Sequence, residues 1–229
     1  MELRYDFHIH SCLSPCGDNE MTPNNIVGMA KVLELDVIAV SDHNTALNLP
    51  AVCKLGEENG VLVVPGIEIT TAEEIHVLSL FPDLNSALKI SNELYSFLPD
   101  IKNDAEIFGE QLILDENDEV VGTIDRLLSN ATSLSIDDVF KKVRSYGGVP
   151  IPAHIDKSSY SLLSNLGFVP PELILTSIEI KNPPHPLGES YKFITDSDAH
   201  SLEVMSEHDA QKINVKEKNI ACILDYLRE

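Results

Sequence analysis

Two imidazoles and a carboxylate stand together in Asp6-Phe7-His8-Ile9-His10, at the end of the apolar-alternating run Leu3–Ile9. In an extended strand successive side chains project to opposite faces, so Asp6, His8 and His10 share one face while Phe7 and Ile9 share the other. Two imidazoles on one rigid segment, backed by a carboxylate, are a chelating arm for a metal ion. A lone His-x-His is equally an ordinary polar strand face, so the rest of the chain has to decide. It returns repeatedly to the same chemistry. His43, Glu68, His154, Asp198 and His200 lie at predicted strand ends, with His76 close by. Of the eight histidines, only His185, in a Pro-flanked loop, and His208, in a polar segment, lack such a setting. Mixed imidazole and carboxylate ligation suits zinc, manganese or iron, and this many donors exceed what one ion can use.

The elements that must position these residues alternate. Thr22-Pro23 opens a helix, with Thr22 as N-cap and Pro23 at the first helical position, and Ile26, Val27, Ala30, Val32 and Leu33 give it an apolar face. Asp36–Val40 is a short continuous apolar run, the pattern of a parallel strand buried on both faces, and it ends in Ser41-Asp42-His43-Asn44. A helix over Leu49–Glu58, closed by Asn59-Gly60, leads to a strand at Val61–Val64 and through Pro65-Gly66 to Ile67-Glu68. A strand from His76 to Leu80 and a helix over Asn85–Leu98 follow. This β-α-β-α-β order, with reactive residues at the C-terminal ends of strands, predicts a (β/α) barrel whose loops gather ligands at one mouth.

The middle departs from that pattern. Residues Phe108–Asn130 read as a hairpin, Gln111–Leu114 and Glu119–Val121 about a polar turn, and predict an inserted arm or lid within a single domain spanning residues 1–229. Beyond it the spacing predicts a helix over Ile136–Tyr146 capped by Ser135, a strand over Val149–Ala153 and a helix near Ser158–Leu166. Strands over Leu173–Ile180 and Tyr191–Thr195 and a final helix over Lys216–Leu227 complete the chain.

Composition narrows the chemistry. A net charge of −21 with 16 basic residues argues against extended nucleic-acid or anionic-membrane binding, which needs clustered Lys and Arg. Positive charge for a phosphate substrate would have to be local, and bound divalent ions would supply it. No apolar run reaches membrane-span length. The chain enters a charged strand directly, without a signal sequence, and is expected to be cytoplasmic. Four cysteines in such a chain read as reduced thiols, Cys53 and Cys222 buried in helices. Cys12 and Cys16 lie in the loop after the His pair, where Cys-x-x-x-Cys could hold a metal, although no second pair completes a tetrahedral site. Asn130-Ala131-Thr132 reads as a polar turn.

In family order, the chain carries Asp6-Phe-His-Ile-His10, Ser41-Asp-His-Asn44, Gly66-Ile-Glu68, His76, Pro152-Ala-His154 and Ser197-Asp-Ala-His200. On these motifs it resembles the PHP domain family, named for polymerase and histidinol phosphatase. The resemblance implies a distorted (β/α)7 TIM-like barrel with up to three divalent ions (Zn, Mn or Fe) at the C-terminal mouth of the strands, and phosphoesterase activity. It assigns His8, His10, Glu68 and Asp198 to a first ion. His43 and His200 go to a second, with a loop residue for which Asp18 is the candidate and Glu20 the alternate. His76 and His154 go to a third, with Glu68 bridging. Glu68, Asp198 and His200 are the catalytic candidates. Asp6 and Asp42 are expected to hydrogen-bond ligand imidazoles and fix their tautomers. Asp196 reads as either a supporting carboxylate or a solvated loop acid. Arg126, Lys157 and Lys181 are the candidates for contacting substrate phosphate.

The expected reaction is hydrolysis of a small phosphomonoester, nucleotide-like or histidinol-phosphate-like, by in-line attack of an activated water. The partner expected is thus a small phosphorylated substrate, without membrane or extended nucleic acid. The competing readings are an ester or amide hydrolase of a related barrel and a metal-binding regulatory barrel without turnover.

Overall fold

The computed structural model describes residues 1–229. In chain order the elements are β1 (Glu2–Ile9), α1 (Pro23–Val32), β2 (Val37–Val40), α2 (Leu49–Asn59), β3 (Leu62–Val63), β4 (Gly66–Thr70), β5 (His76–Leu80) and α3 (Leu84–Phe97). The arm region follows, with α4 (Ala105–Phe108), β6 (Leu112–Leu114) and β7 (Val120–Thr123). Then come α5 (Ile136–Ser145), β8 (Val149–Pro152), α6 (Leu162–Leu166), β9 (Ser177–Glu179), β10 (Lys192–Ile194), α7 (Leu202–Glu207), β11 (Lys212–Asn214) and α8 (Ile220–Arg228). No helix is long and apolar enough to cross a membrane.

The early elements form for the reasons their residues suggest. Thr22 Oγ1 accepts from the Asn25 amide at 3.2 Å with Pro23 in the first turn, and Ser135 caps α5 by accepting from the Asp138 amide. Gly60 ends α2 in the left-handed conformation, at φ 75°. β2 is buried along its whole length, and its residues alternate between two apolar clusters. Ile38 and Val40 face the cluster covered by α1, α2, α3 and α5, while Val37 and Ala39 join Leu3, Tyr5 and Phe7 of β1 beneath α8. Burial on both faces is why the run reads as continuously apolar.

The strands fall into separate sheets: β11-β1-β2-β3, β4-β5-β8, β9-β10 and the arm's β6-β7. β1 runs parallel to β2, and β2 to β3. β4 and β5, however, form an antiparallel hairpin, and β5 pairs antiparallel with β8. Glu68 thus sits in the middle of its own strand rather than beyond the end of the preceding one. Single bridges join the sheets where the functional motifs lie: His43 pairs with Glu68, and Ile9 with Ala199. Gly66 permits the first junction, since a Cβ there would stand 2.3 Å from Ser41 Oγ and 3.0 Å from Val40 O. The result is a mixed α/β fold whose ladders do not run as one closed sheet.

The later elements differ more from the sequence expectation. The Ser158–Leu166 helix is shortened to α6 because Ser161 caps it late, accepting from the Ser164 amide. The Leu173–Ile180 strand shrinks to β9, with Leu173 buried from a turn. α4, α7 and β11 were not legible. β11 closes the edge of β1, antiparallel to it, with Leu3 opposite Ile213. The arm forms the expected hairpin, β6 with β7, and it is tied down. The Leu112 amide donates to Cys12 O at 3.1 Å, and Asp118 accepts from Thr22 Oγ1 and the Asn24 amide at the start of α1.

Candidate metal centre

β1 delivers His8, and the residue just after the strand is His10; the loop after β2 delivers His43, β4 delivers Glu68 and β5 starts with His76. The loop after β8 delivers His154 and the loop after β10 delivers Asp198 and His200. All converge. Glu68 is the common partner: its Oε1 lies 2.8 Å from His76 Nδ1 and 3.2 Å from both His8 Nε2 and His154 Nε2. Its Oε2 lies 3.0 Å from His43 Nδ1 and 3.4 Å from His10 Nε2. Asp198 Oδ1 stands 3.5 Å from Nε2 of His8 and of His10. Three groups have donor atoms within 4.8 Å of one another: His8, His10 and Asp198; His10, Cys16, His43 and His200; and His43, Glu68 and His76.

The hydrogen bonds around the centre settle which ring nitrogens face inward. His8 Nδ1–H donates to the Glu179 carboxylate at 3.1 Å. Ser14 Oγ gives its own proton to Asp42 at 2.7 Å and so accepts from His10 Nδ1–H at 2.9 Å. His200 Nδ1–H donates to the Asp198 carbonyl at 2.9 Å. In each ring the remaining nitrogen, Nε2, is left as an acceptor, and for His8 and His10 it faces carboxylate oxygens that are acceptors too. Acceptors aimed at acceptors repel unless extra protons or cations stand between them. Glu68 Oε2, His43 Nδ1 and His154 Nδ1 are buried without an acceptable hydrogen-bond partner, which fits the same deficit. The donor set and its orphaned atoms therefore fit divalent metal ions.

The electrostatics show how protons fill the deficit otherwise. Burial acts to lower His8, but Glu179, Glu68 and Asp198 override it and hold the ring well above its ordinary range. Burial likewise opposes His43, which Glu68 nevertheless pushes up to about 10. His10 goes the other way, held well below by burial and by His200. Burial works to raise Glu68, yet His76, His8 and His43 keep it well below the carboxylate range. Asp198 is lowered in the same manner by His8 and His10. Binding a cation displaces such protons, so metal affinity here rises with pH.

Two of these residues carry backbone strain. His154 at φ 28° and Asp198 at φ 50° occupy the left-handed region, at a cost of order 1–3 kcal/mol each. Glu179 Oε2 accepts from the His154 amide at 2.8 Å, which holds the loop after β8 in place. Asn44, at φ 55°, accepts from the Thr70 amide and donates to the Leu128 and Asn130 carbonyls.

Several expected residues stand elsewhere. Asp18 and Glu20 are exposed and lie outside the three groups, and the loop residue brought to His43 and His200 is Cys16. The reason is local: a turn closes on Gly17, whose amide donates to Ser14 O, and the Asp18 amide donates to the His200 carbonyl, so that side chain faces out. Asp6 touches no imidazole; its Oδ1 accepts from the Ser197 amide at 3.1 Å and weakly from the His8 amide at 3.4 Å. Asp42 reaches His10 only through Ser14. The carboxylate in direct contact with a ligand ring is Glu179, which sequence reading passed over although it is a lone acid between Ile178 and Ile180. Asp196 is not a solvated acid but fully buried.

Of the basic candidates, Lys157 alone reaches the site, pairing with Asp198 and lining the cavity. Asp198, against the opposition of burial, raises its ammonium further. Arg126 donates to the Tyr95 and Leu98 carbonyls and lies over the Tyr95 ring, while Lys181 donates to the Ser197 carbonyl. Neither lines the cavity. That cavity, about 280 Å³, opens over His43, His76, His154 and His200 and includes Cys16 and Tyr160. Tyr160, 46% exposed, stacks on His76 with ring centroids 4.8 Å apart.

Comparison with known proteins agrees with the architecture. The family model for the PHP domain matches residues 6–146, more than half of the chain. An uncharacterized protein of Methanocaldococcus jannaschii is 38% identical over 95 residues, covering 38% of this chain and 56% of that protein. The 5'-3' exoribonuclease Rnm of Salmonella typhimurium is 32% identical over 85 residues, 35% of this chain and 28% of the relative. The matched stretch thus spans about half of one curated relative and under a third of the other. Among solved structures, the lesion-specific endonuclease PfuEndoQ from Pyrococcus furiosus superposes over 100% of this chain and 56% of its own, with a TM-score of 0.72 and 17% identity. An exoribonuclease among the relatives and an endonuclease among the structures overturn the expectation of a small substrate without nucleic acid. Net charge describes the whole surface and not the mouth, where Lys157 pairs with Asp198.

Proposed function

Because the chain belongs to the PHP domain family, we propose that it is a metal-dependent phosphoesterase that cleaves a phosphodiester at or near the end of a nucleic-acid strand. The observation that carries this reading is the convergence of Glu68, Asp198 and six imidazoles on one centre, four of the imidazoles lining an open cavity that also holds Lys157. Two of the relatives are named exoribonucleases, which favours the nucleic-acid substrate, and the acidic surface, with its −21 charge, favours an end over a long bound track. We infer also that the four sheets are parts of the family's distorted (β/α)7 barrel, one domain over residues 1–229 with the arm inserted at 108–130.

The family pattern gives His8, His10, Asp198 and Glu68 to one ion, His43 and His200 to a second, and His76 and His154 with Glu68 to a third; the grouping of His8 with His10 and Asp198, and of His43 with His200, supports it. Divalent ions held there would lower the pKa of water and draw charge from phosphate oxygens. The chain's own contribution is positional. Glu179 and Ser14 fix which nitrogen of His8 and His10 faces in. Lys157 stands beside Asp198, where its ammonium can meet a non-bridging phosphate oxygen. The exposed face of Tyr160 offers a platform for the terminal base, an interaction worth about 1–3 kcal/mol.

The test is cleavage of end-labelled single-stranded RNA and DNA, and of duplexes with and without an abasic site, by metal-loaded protein beside a Glu68→Gln variant with its metal content counted. Release of short products from one end by the parent, lost together with metal in the variant, is the expected result. Full metal occupancy with no cleavage of any strand would overturn the reading.

A further inference from the structure

Cys16 is the residue for which the family pattern makes no provision, and its position is specific. Its Sγ lies within 4.8 Å of a ring nitrogen of each of His10, His43 and His200. The loop is built to place it there. The Gly17 amide donates to Ser14 O, the Asp18 amide donates to the His200 carbonyl, and Gly17 packs so closely that a Cβ would stand 2.4 Å from Ser11 O. The loop is thereby closed against the His200 segment, with the thiol of the otherwise exposed Cys16 turned to the imidazoles and Asp18 outward. A second observation points to a ligand at the same place. His43 is 5% exposed, and its Nδ1, 3.0 Å from Glu68 Oε2, makes no hydrogen bond of acceptable geometry. His200 and His10 meanwhile spend their Nδ1 protons on the Asp198 carbonyl and on Ser14, leaving Nε2 of each as an unprotonated donor atom. The imidazoles of His43 and His200, with His10 in reach, and one sulfur make a mixed N/S donor set of the kind that suits zinc.

We propose that Cys16, as thiolate, is a direct ligand of the ion held by His43 and His200, with His10 in reach, and that it biases this position toward zinc, iron or cobalt and against manganese and magnesium. The inference rests on the metal-centre reading above and deepens it. On binding, the S–H bond breaks and its proton goes to solvent while a sulfur–metal bond forms, with no change of oxidation state. Thiolate is a soft donor, and carboxylate in its place would suit the harder ions.

The experiment uses the full chain, reduced, metal-depleted and titrated with Co(II) alone. A near-ultraviolet sulfur-to-cobalt charge-transfer band is expected in the parent, retained in a Cys53→Ala control and absent in Cys16→Ser. In competition between zinc and manganese read by metal analysis, Cys16→Asp should shift the preference toward manganese on the order of tenfold or more, as a direct ligand should matter at least as much as its supporting residues do. Cobalt binding without the band in the parent, or a band that survives in Cys16→Ser, overturns the thiolate ligand and leaves the metal centre standing. A parent that binds no cobalt, zinc or manganese overturns the metal centre itself and this proposal with it.

Discussion

Asp196 lies beneath the centre with no exposed surface, its Oδ1 accepting from the Phe7 amide at 2.6 Å and its Oδ2 without a partner. Burial, then repulsion from Glu179 and Asp6, holds its carboxyl well above the ordinary 3.8. The folded chain therefore keeps a neutral acid there while the unfolded chain ionises it. Stability is lost as pH climbs from the ordinary value toward the raised one, since the unfolded state sheds the proton first. Asparagine has the same shape, stays neutral, still accepts from Phe7 and offers an amide proton toward its acidic neighbours. In metal-free protein Asp196→Asn should raise the melting temperature at neutral pH and change it little near the ordinary carboxylate pKa. A shift of equal size at both would mean that packing, not ionisation, was altered. At this scale the motif residues were legible because imidazoles and acids recur at predicted strand ends, whereas Cys16 showed only as half of a Cys-x-x-x-Cys pair with Cys12 and Glu179 did not show at all. A thiol in a loop and an acid in an apolar strand acquire their role only from neighbours 27 and 171 residues away, at His43 and His8.

The arm shows what holds one element to another. Asn48, fully buried just before α2, donates from Nδ2 to Ser11 Oγ at 3.0 Å and to the Leu112 carbonyl at 3.1 Å, and its Oδ1 accepts from the Leu114 amide at 2.9 Å. One side chain thus joins β6 to the loop that carries Cys16. Asn48→Ala leaves the Leu112 and Leu114 backbone groups unmet, costing about 1–3 kcal/mol for each buried group left unsatisfied. The expected outcome is faster amide exchange and proteolysis in residues 108–130, with weaker metal retention at the Cys16 position. Loosening confined to the arm, with metal retention unchanged, would show that the arm does not brace the loop. The hairpin itself was legible from the polar turn at Asp115-Glu116-Asn117-Asp118, and so were the caps at Thr22 and Ser135. β4 was not, because Pro65-Gly66 reads as the tail of the preceding strand and nothing local reveals that Glu68 pairs antiparallel with Leu78. β11, three residues long, is too short to display a period and is specified by its pairing with β1.

Across the whole molecule the charge is −21, while the proposed substrate is itself a polyanion. A protein that holds nucleic acid with a basic track loses affinity steeply as salt rises, because bound cations are released from the phosphates. Here the only cations at the mouth are Lys157, the protons on imidazoles and whatever metals the site takes. The remaining surface repels the strand, and that repulsion acts over a Debye length of about 10 Å at 0.1 M salt. Added monovalent salt screens the long-range repulsion more than the short contacts within the cavity. With divalent metal held constant, kcat/KM on a short single strand should therefore rise or stay level as potassium chloride increases from low values. Lys157→Gln, removing the one side-chain ammonium that lines the cavity, should lower kcat/KM without reversing the sign of that salt slope. A steep fall with salt in the parent would mean that strand binding depends on a basic surface that the fold does not display around this site, and that the end-directed reading has the substrate's path wrong.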